Sequence, residues 1–344
     1  MSIKLAINGF GRIGRLAFRR AYESGEFEVV AINDLVDAKT LAYLLKYDST
    51  HKIWGKDDIS YDTAANAIVY KGKKIPVLGK KDPKELAWKN YGVDIVLECT
   101  GRFKGKADAQ VHIDNGAKGV IISAPSDKET PTYVYGVNSD KLTANQKVIS
   151  GASCTTNCLA PVCKVLQEKW GIKGGYMTTV HAYTNDQTTL DLAKGNLRRG
   201  RAAAANIVPT TTGAAKAINL VIPELEGKLR GGALRVPVID GSLVDLSLVL
   251  NKPVKDVDEI NQAMKEASKG ALKNVLDYTE DEIVSSDIID NTHGSIFDAT
   301  QTTVFTTPDG VQFVKVVSWY DNEYSYTCQF VRLAAHMAKV LGVK

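Results

Sequence analysis

Three glycines constrain the fold of this chain more than any other feature. Gly9, Gly11 and Gly14 stand as G-x-G-x-x-G between a buried strand pattern, Ile3-Lys4-Leu5-Ala6-Ile7, and a helical pattern over residues 16–24 that stops at Gly25. A second strand pattern follows over residues 27–32 and ends at Asn33-Asp34. In such a β-α-β unit Gly9 makes the tight turn, Gly11 lets the backbone approach a pyrophosphate, and Gly14 allows close packing of helix on strand. The anion then rests on the helix N-terminus, where Arg12 and Ile13 stand. Asp34, about 20 residues past Gly14, is placed to accept hydrogen bonds from an adenosine ribose and to repel a 2′-phosphate. The expectation is an α/β Rossmann domain that binds NAD.

More α/β pattern follows. Residues 93–101 and 118–125 read as buried strands around a helical stretch at 106–115, which sets Thr100 and Ser123 at strand carboxyl ends, the edge where a cofactor lies. Short strands are expected at 134–137 and 148–150. Residues 50–80 are more polar and read as hairpin-like additions, with their lysine-rich turns facing solvent.

The domain then closes on Ser150-Gly151-Ala152-Ser153-Cys154-Thr155-Thr156-Asn157-Cys158, which leads into a helical pattern running to about Trp170. Ser153 is a fitting N-cap, and it leaves Cys154 in the first turn, where free N–H groups and the helix dipole favour a thiolate. Alone, such a cysteine is more often a small buried residue; its place at the cofactor edge makes it a candidate nucleophile.

Beyond Trp170 longer strand patterns take over, at 176–183, 234–238, 243–250, 302–305 and 311–320, with helical stretches near 212–220 and 257–271. They predict an α+β catalytic domain with a mixed, largely antiparallel sheet. The expected divisions are 1–152 for the Rossmann domain, 153–318 for the catalytic domain, and 319–344 for a last helix packing back on the first.

At 344 residues the chain is too long for one ordinary core. A net charge of +4 with no long basic run suits small anions better than nucleic acid as the main partner. Five scattered cysteines without paired C-x-x-C or adjacent histidines predict neither a disulfide framework nor a metal site. The N-terminus enters a strand directly and no apolar run approaches the ~18 residues of a membrane helix, so a cytoplasmic location is expected.

The chain resembles phosphorylating glyceraldehyde-3-phosphate dehydrogenases of the glycolytic type along essentially its whole length. The motifs are those at residues 8–15 and 150–161, His181-Ala182-Tyr183-Thr184, residues 209–216, Leu234-Arg235-Val236-Pro237 and Trp319-Tyr320-Asp321-Asn322-Glu323. The resemblance implies NAD-dependent oxidation of glyceraldehyde 3-phosphate, with inorganic phosphate as second substrate and a homotetrameric assembly. It makes Cys154 the nucleophile and His181 its base. It has Asn322 hold the nicotinamide carboxamide and Lys81 stand near the adenine. It assigns Thr184 and Arg235 to the substrate phosphate. Ser153, Thr155, Thr212 and Gly213 fall to the attacking phosphate, with an arginine that spacing puts at Arg198 while leaving Arg199 open. The stretch 184–206 is implied to form a loop near a neighbouring subunit's cofactor.

The chain departs from the commoner pattern at Ala193, where a proline is frequent in a loop that helps exclude NADP, and this loosens the expected preference for NAD. Lys81 replaces a frequent arginine, and residues 238–241 replace a proline-containing turn. Erythrose-4-phosphate dehydrogenase, which releases its acid to water, is the rival enzyme reading. The cluster at Arg198–Arg201 also motivates a nucleic-acid or surface-binding side role.

Overall fold

Ile3–Asn8 forms β1, buried at every position except Lys4, as a near-continuous apolar run requires of a strand covered on both faces. The computed structural model describes residues 2–343, in which contacts separate two units. The first runs through Tyr133, resumes over Ser139–Ala152, and includes the chain from Phe330 onward.

In this unit β1 is followed by α1 (Arg12–Ser24), β2 (Phe27–Asn33) and α2 (Ala38–Lys46). A ribbon of β3 (Tyr47–Asp48) with β4 (Lys52–Ile53) comes next. An antiparallel sheet of β5 (Ile59–Asp62), β6 (Ala67–Tyr70) and β7 (Lys73–Pro76) follows, the expected hairpin-like addition. Then come β8 (Ile95–Glu98), α3 (Lys106–Asp114), β9 (Gly119–Ile122) and β10 (Val148–Ser150). The main sheet has the order β10-β9-β8-β1-β2, and every pairing is parallel. Successive strands go to opposite sides of β1, so the order reverses between β1 and β8, and a crevice opens there at the carboxyl ends. One apolar cluster, including Ala6, Ala31, Trp88, Val96, Val120 and Val148, packs beneath the sheet.

One expected strand is absent. Residues 134–137 form a turn, with Val137 and Asn138 both donating to the Val134 carbonyl and Gly136 at φ +75. The left-handed glycine breaks the extension that the flanking valines favour.

The second unit takes in Val134–Asn138 and Ser153–Gln329. It holds α4 (Cys154–Lys169), β11 (Ile172–Ala182), β12 (Val208–Thr210), α5 (Ala214–Val221), β13 (Leu229–Val236) and β14 (Ser242–Leu250). After these come α6 (Val257–Lys269), β15 (Leu276–Thr279), β16 (Ser295–Thr306), β17 (Gln312–Tyr320) and the start of α7 (Tyr324–Val340). The sheet order is β12-β13-β11-β14-β17-β16-β15. Only β11–β13 and β15–β16 pair in parallel, which makes the sheet mixed and largely antiparallel as predicted. The β14 sequence alternates buried and more exposed positions, the mark of a strand with one face on the core. The parallel register of β11 on β13 sets His181 opposite Arg235.

Candidate active site

At the sheet reversal in the first unit lies a cavity of about 290 Å³, with Gly9, Gly11, Asp34, Lys81 and Thr100 in its wall. Its glycines are there for space. A Cβ on Gly14 would stand 2.1 Å from the Gly9 carbonyl oxygen, and one on Gly9 would stand 2.7 Å from the Thr100 nitrogen. A Cβ on Gly11 would meet no protein atom within 4 Å; it would intrude on the room a ligand needs. Gly11 caps α1 without a side chain, so the first-turn N–H groups have no capping side chain. Asp34 is tied to the glycine turn: its Oδ2 accepts from Phe10 N at 2.7 Å and its Oδ1 from Val36 N at 3.1 Å. These features fit a dinucleotide with its pyrophosphate at the α1 N-terminus. Arg12 and Ile13 do not line the cavity, and the Arg12 guanidinium pairs with Asp48. Ser123 lies just beyond β9, outside the cavity wall.

In the second unit α4 begins at Cys154, and Ser153 Oγ accepts from Thr156 N at 3.1 Å as its cap. The residue before the cap, Ala152, has φ +60, a left-handed conformation that a residue with a Cβ adopts only under constraint. Cys154 Sγ lies 3.5 Å from His181 Nε2. Arg235 Nη1 stands 2.8 Å from His181 Nδ1 and 2.9 Å from the Ala182 carbonyl, and Nδ1 is 2.7 Å from that same carbonyl. Nδ1 thus has a donor and an acceptor within reach, and the ring can hold its proton on either nitrogen. Burial pushes the Cys154 thiol up, against the opposing pull of Arg235. Burial also takes His181 down to about 3, with Arg235 adding to the fall. Both groups favour their neutral forms, so burial outweighs the helix-start stabilisation of a thiolate expected from the sequence, and the neutral imidazole keeps a lone pair that can take a proton.

Around this pair the predicted anion ligands separate. Arg199 bonds Thr210 Oγ1 at 3.0 Å and pairs with Asp186, which in turn accepts from Thr184. Arg198 is exposed and lines a surface hollow with Asp191, Leu192 and Arg201. The geometry thus joins Arg199, rather than Arg198, to Thr184 and the site. Thr155 turns inward: its Oγ1 is 2.9 Å from the Tyr320 hydroxyl, which is 2.8 Å from Thr179 Oγ1. Thr212 Oγ1 accepts from Ala214 N at 3.2 Å at the start of α5, beside Gly213. Asn322 Oδ1 accepts from Ser242 Oγ at 2.6 Å and its backbone N–H donates to Asp240 at 3.2 Å, leaving the amide nitrogen to donate.

Tyr320, Asp186, Ser242 and Asp240 went unassigned by sequence reasoning. Tyr320 carried a signal, its place in the motif with Asn322; Ser242 carried none, because only the register of β14 on β17 sets it opposite Tyr320.

Residues 3–106 match the family description "Glyceraldehyde 3-phosphate dehydrogenase, NAD binding domain", and residues 153–322 match "Glyceraldehyde 3-phosphate dehydrogenase, C-terminal domain". The chain is 55% identical over 339 residues to glyceraldehyde-3-phosphate dehydrogenase of Clostridium pasteurianum, covering 98% of this chain and 99% of that one. It is 55% identical over 340 residues to glyceraldehyde-3-phosphate dehydrogenase 1 of Bacillus subtilis (strain 168), with the same coverage of both. The chain belongs to the glyceraldehyde-3-phosphate dehydrogenase family. Within that family the cavity at Gly9–Asp34 is part of the NAD-binding domain, and the Cys154–His181 pair lies in the C-terminal domain.

Proposed function

We infer that this chain catalyses the NAD-dependent, phosphorylating oxidation of glyceraldehyde 3-phosphate to 1,3-bisphosphoglycerate. The observation that carries the reading is the 3.5 Å approach of His181 Nε2 to Cys154 Sγ at the start of α4. Sγ attacks the aldehyde carbon, its proton passing by way of His181 to the new hydroxyl of the hemithioacetal. NAD, when bound, supplies the acceptor for a hydride. His181 takes the hydroxyl proton as the carbon becomes a thioester on Sγ. A phosphate oxygen then adds to the thioester carbon, the C–S bond breaks, and the Cys154 sulfur leaves with the proton held on His181, while the proton of the phosphate passes to water. The Cys154 N–H, at a helix start, and the imidazole stabilise the developing oxyanions.

Asn322, held by Ser242 and Asp240, is the group that receives the nicotinamide carboxamide. Thr184 and Arg235 serve the substrate phosphate. Ser153, Thr212 and Gly213 serve inorganic phosphate, Thr155 through its backbone N–H since its hydroxyl turns to Tyr320, with Arg199 as the arginine, since it reaches Thr210 and Asp186. Lys81 and Thr100, in the cavity wall, serve the adenosine half with Asp34, while Arg12 and Ile13 offer backbone and Ser123 stands at the neighbouring strand end.

The working form is a cytoplasmic homotetramer. Leu190, Leu192 and Leu197 are 76%, 67% and 83% exposed on one loop, an apolar surface that contact with a second copy would cover. Among the described residues no helix is long and apolar enough to cross a membrane.

NADH formation from glyceraldehyde 3-phosphate, assayed with and without phosphate or arsenate and repeated with NADP, tests the reading. Turnover should require the anion. Equal turnover without it, with faster oxidation of erythrose 4-phosphate, would establish the hydrolytic alternative instead.

A further inference from the structure

Beneath the dinucleotide cavity lies a buried polar chain that the reaction itself does not use. Glu98, at the end of β8, is 1% exposed, and His112 of α3 is fully buried beside it. Trp88 Nε1 donates to His112 Nδ1 at 3.0 Å. An indole N–H can only donate, so Nδ1 carries a lone pair and Nε2 carries the proton. Nε2 therefore donates to Glu98 Oε2, at 3.1 Å.

The other end of the chain is fixed in the same way. Asn33 Oδ1 accepts from the Lys80 backbone N–H at 2.8 Å and its Nδ2 donates to the Lys80 carbonyl at 3.0 Å, which settles the orientation of that amide. Asn33 Nδ2 also donates to Asn8 Oδ1 at 2.8 Å, so Asn8 Nδ2 must point at Glu98 Oε2, 2.5 Å away. Thr100 donates to Oε1 through its backbone N–H, at 2.8 Å, and through its hydroxyl. Glu98 accepts four hydrogen bonds and donates none, the pattern of an ionised carboxylate.

Glu98, Asn8 and Asn33 are register partners at the carboxyl ends of three adjacent parallel strands. The chain of bonds crosses the floor of the cavity from α3 to Lys80. Asn8, Asn33, Lys80 and Thr100 all line the cavity, and Asn33 leads directly into Asp34. We propose that Glu98, oriented by His112, is a positioning residue for NAD. It draws Asn8, Asn33 and Thr100 into one arrangement, so that the adenosine end of the cavity is formed before the cofactor arrives. The inference rests on the NAD reading above.

Glu98→Gln is isosteric, yet its NH₂ then faces either the two donors Asn8 and His112 or the Thr100 backbone N–H, where only the Thr100 hydroxyl can turn and accept. Binding of NAD and of ADP-ribose, measured by calorimetry, should weaken together by roughly tenfold or more, the loss expected when a hydrogen bond to a charged group is broken. In turnover the KM for NAD should rise while kcat at saturating NAD stays within about twofold, as for a loss of uniform binding. His112→Leu should repeat the loss. His112→Gln, whose amide can donate to Glu98 and accept from Trp88, should restore affinity to within about threefold. Folded Glu98→Gln or His112→Leu protein that binds both ligands as the parent does, whatever its melting temperature, would overturn the proposal. A loss confined to kcat would do the same. Failure of both variants to fold would overturn it too, by making the chain of bonds a folding element. Failure of the parent protein to bind NAD would instead refute the cofactor reading on which the proposal stands.

Discussion

The dinucleotide cavity takes its shape from strand ends and turns that are neighbours in one parallel sheet, while the cysteine centre gathers Cys154, His181, Arg199, Arg235 and Tyr320 from separate stretches of a mixed sheet and its helices. In the first, close backbone and missing side chains shape the turn, where Gly9 and Gly14 leave no room for a methyl group, and side chains at neighbouring strand ends, Asn8 and Asn33 among them, complete the wall. In the second, the reacting groups sit at the ends of side chains held by other side chains, as Arg235 stands against His181 and Tyr320 against Thr155. Affinity and chemistry therefore depend on different kinds of structure, and substitution should separate them.

The sharpest break in that comparison is Cys154→Ser, which should lower turnover by on the order of 10⁴-fold or more, as for other nucleophile deletions, while calorimetry finds NAD bound normally. Near-normal turnover would refute the covalent mechanism. His181→Asn should slow acylation by roughly 10²–10⁴-fold, the usual contribution of a general base, with single-turnover kinetics as the measure. An unchanged acylation rate would remove His181 from the chemistry. Gly14→Ala works on the other side. With a Cβ 2.1 Å from the Gly9 oxygen, α1 must move off β1. We expect a stability loss of about 1–3 kcal/mol, typical of overpacking, and weaker NAD binding, with the Cys154–His181 geometry intact. Denaturant titration and reactivity of Cys154 toward an alkylating agent would check the two halves of that statement.

An effect that builds with pH should come from Asp240. Burial and the adjacent Asp321 push its carboxyl up to about 9, from an ordinary value of 3.8. Between those values the folded chain holds a proton that the unfolded chain has lost. Its contribution to stability is therefore complete below about pH 4 and declines as pH rises through 9, by at most ~1.4 kcal/mol per pH unit. Asp240→Asn should flatten that slope in melts taken from pH 6 to 9. An identical slope in the variant would show that the proton is held elsewhere.

The same contrast explains what could be read in the sequence. The G-x-G-x-x-G turn between strand and helix and the Ser153 cap are local devices, each with its cause within a few residues, and the structure has both; Asp34 follows directly on β2. The choice between Arg198 and Arg199 was not local. It depends on which guanidinium the loop turns toward Asp186 and Thr210, and spacing along the chain pointed to the exposed one. Ser242 was hidden outright, and Tyr320 showed only through its place in the motif with Asn322, since the partners of both are set by strand register. Residues 134–137 show the opposite failure: their valines favour extension, and a single left-handed glycine overrules them. The Glu98–His112 pair escaped notice because a histidine within a helical pattern and an acid at a strand end each look ordinary until β8 and α3 are brought together.

The parallel pairing of β11 with β13 has a wider consequence. His181 and Arg235 are set side by side by a ladder of backbone bonds, and slipping β13 by one residue along β11 would send Arg235 to the other face of the sheet, away from His181. The crossover between the two strands carries Thr184, Arg199 and Thr212, and its irregular part ahead of β12 is of the kind that lengthening costs little entropy. A lineage could thus redesign how the enzyme grips its anions by editing the crossover alone, while the base and its arginine are inherited unchanged.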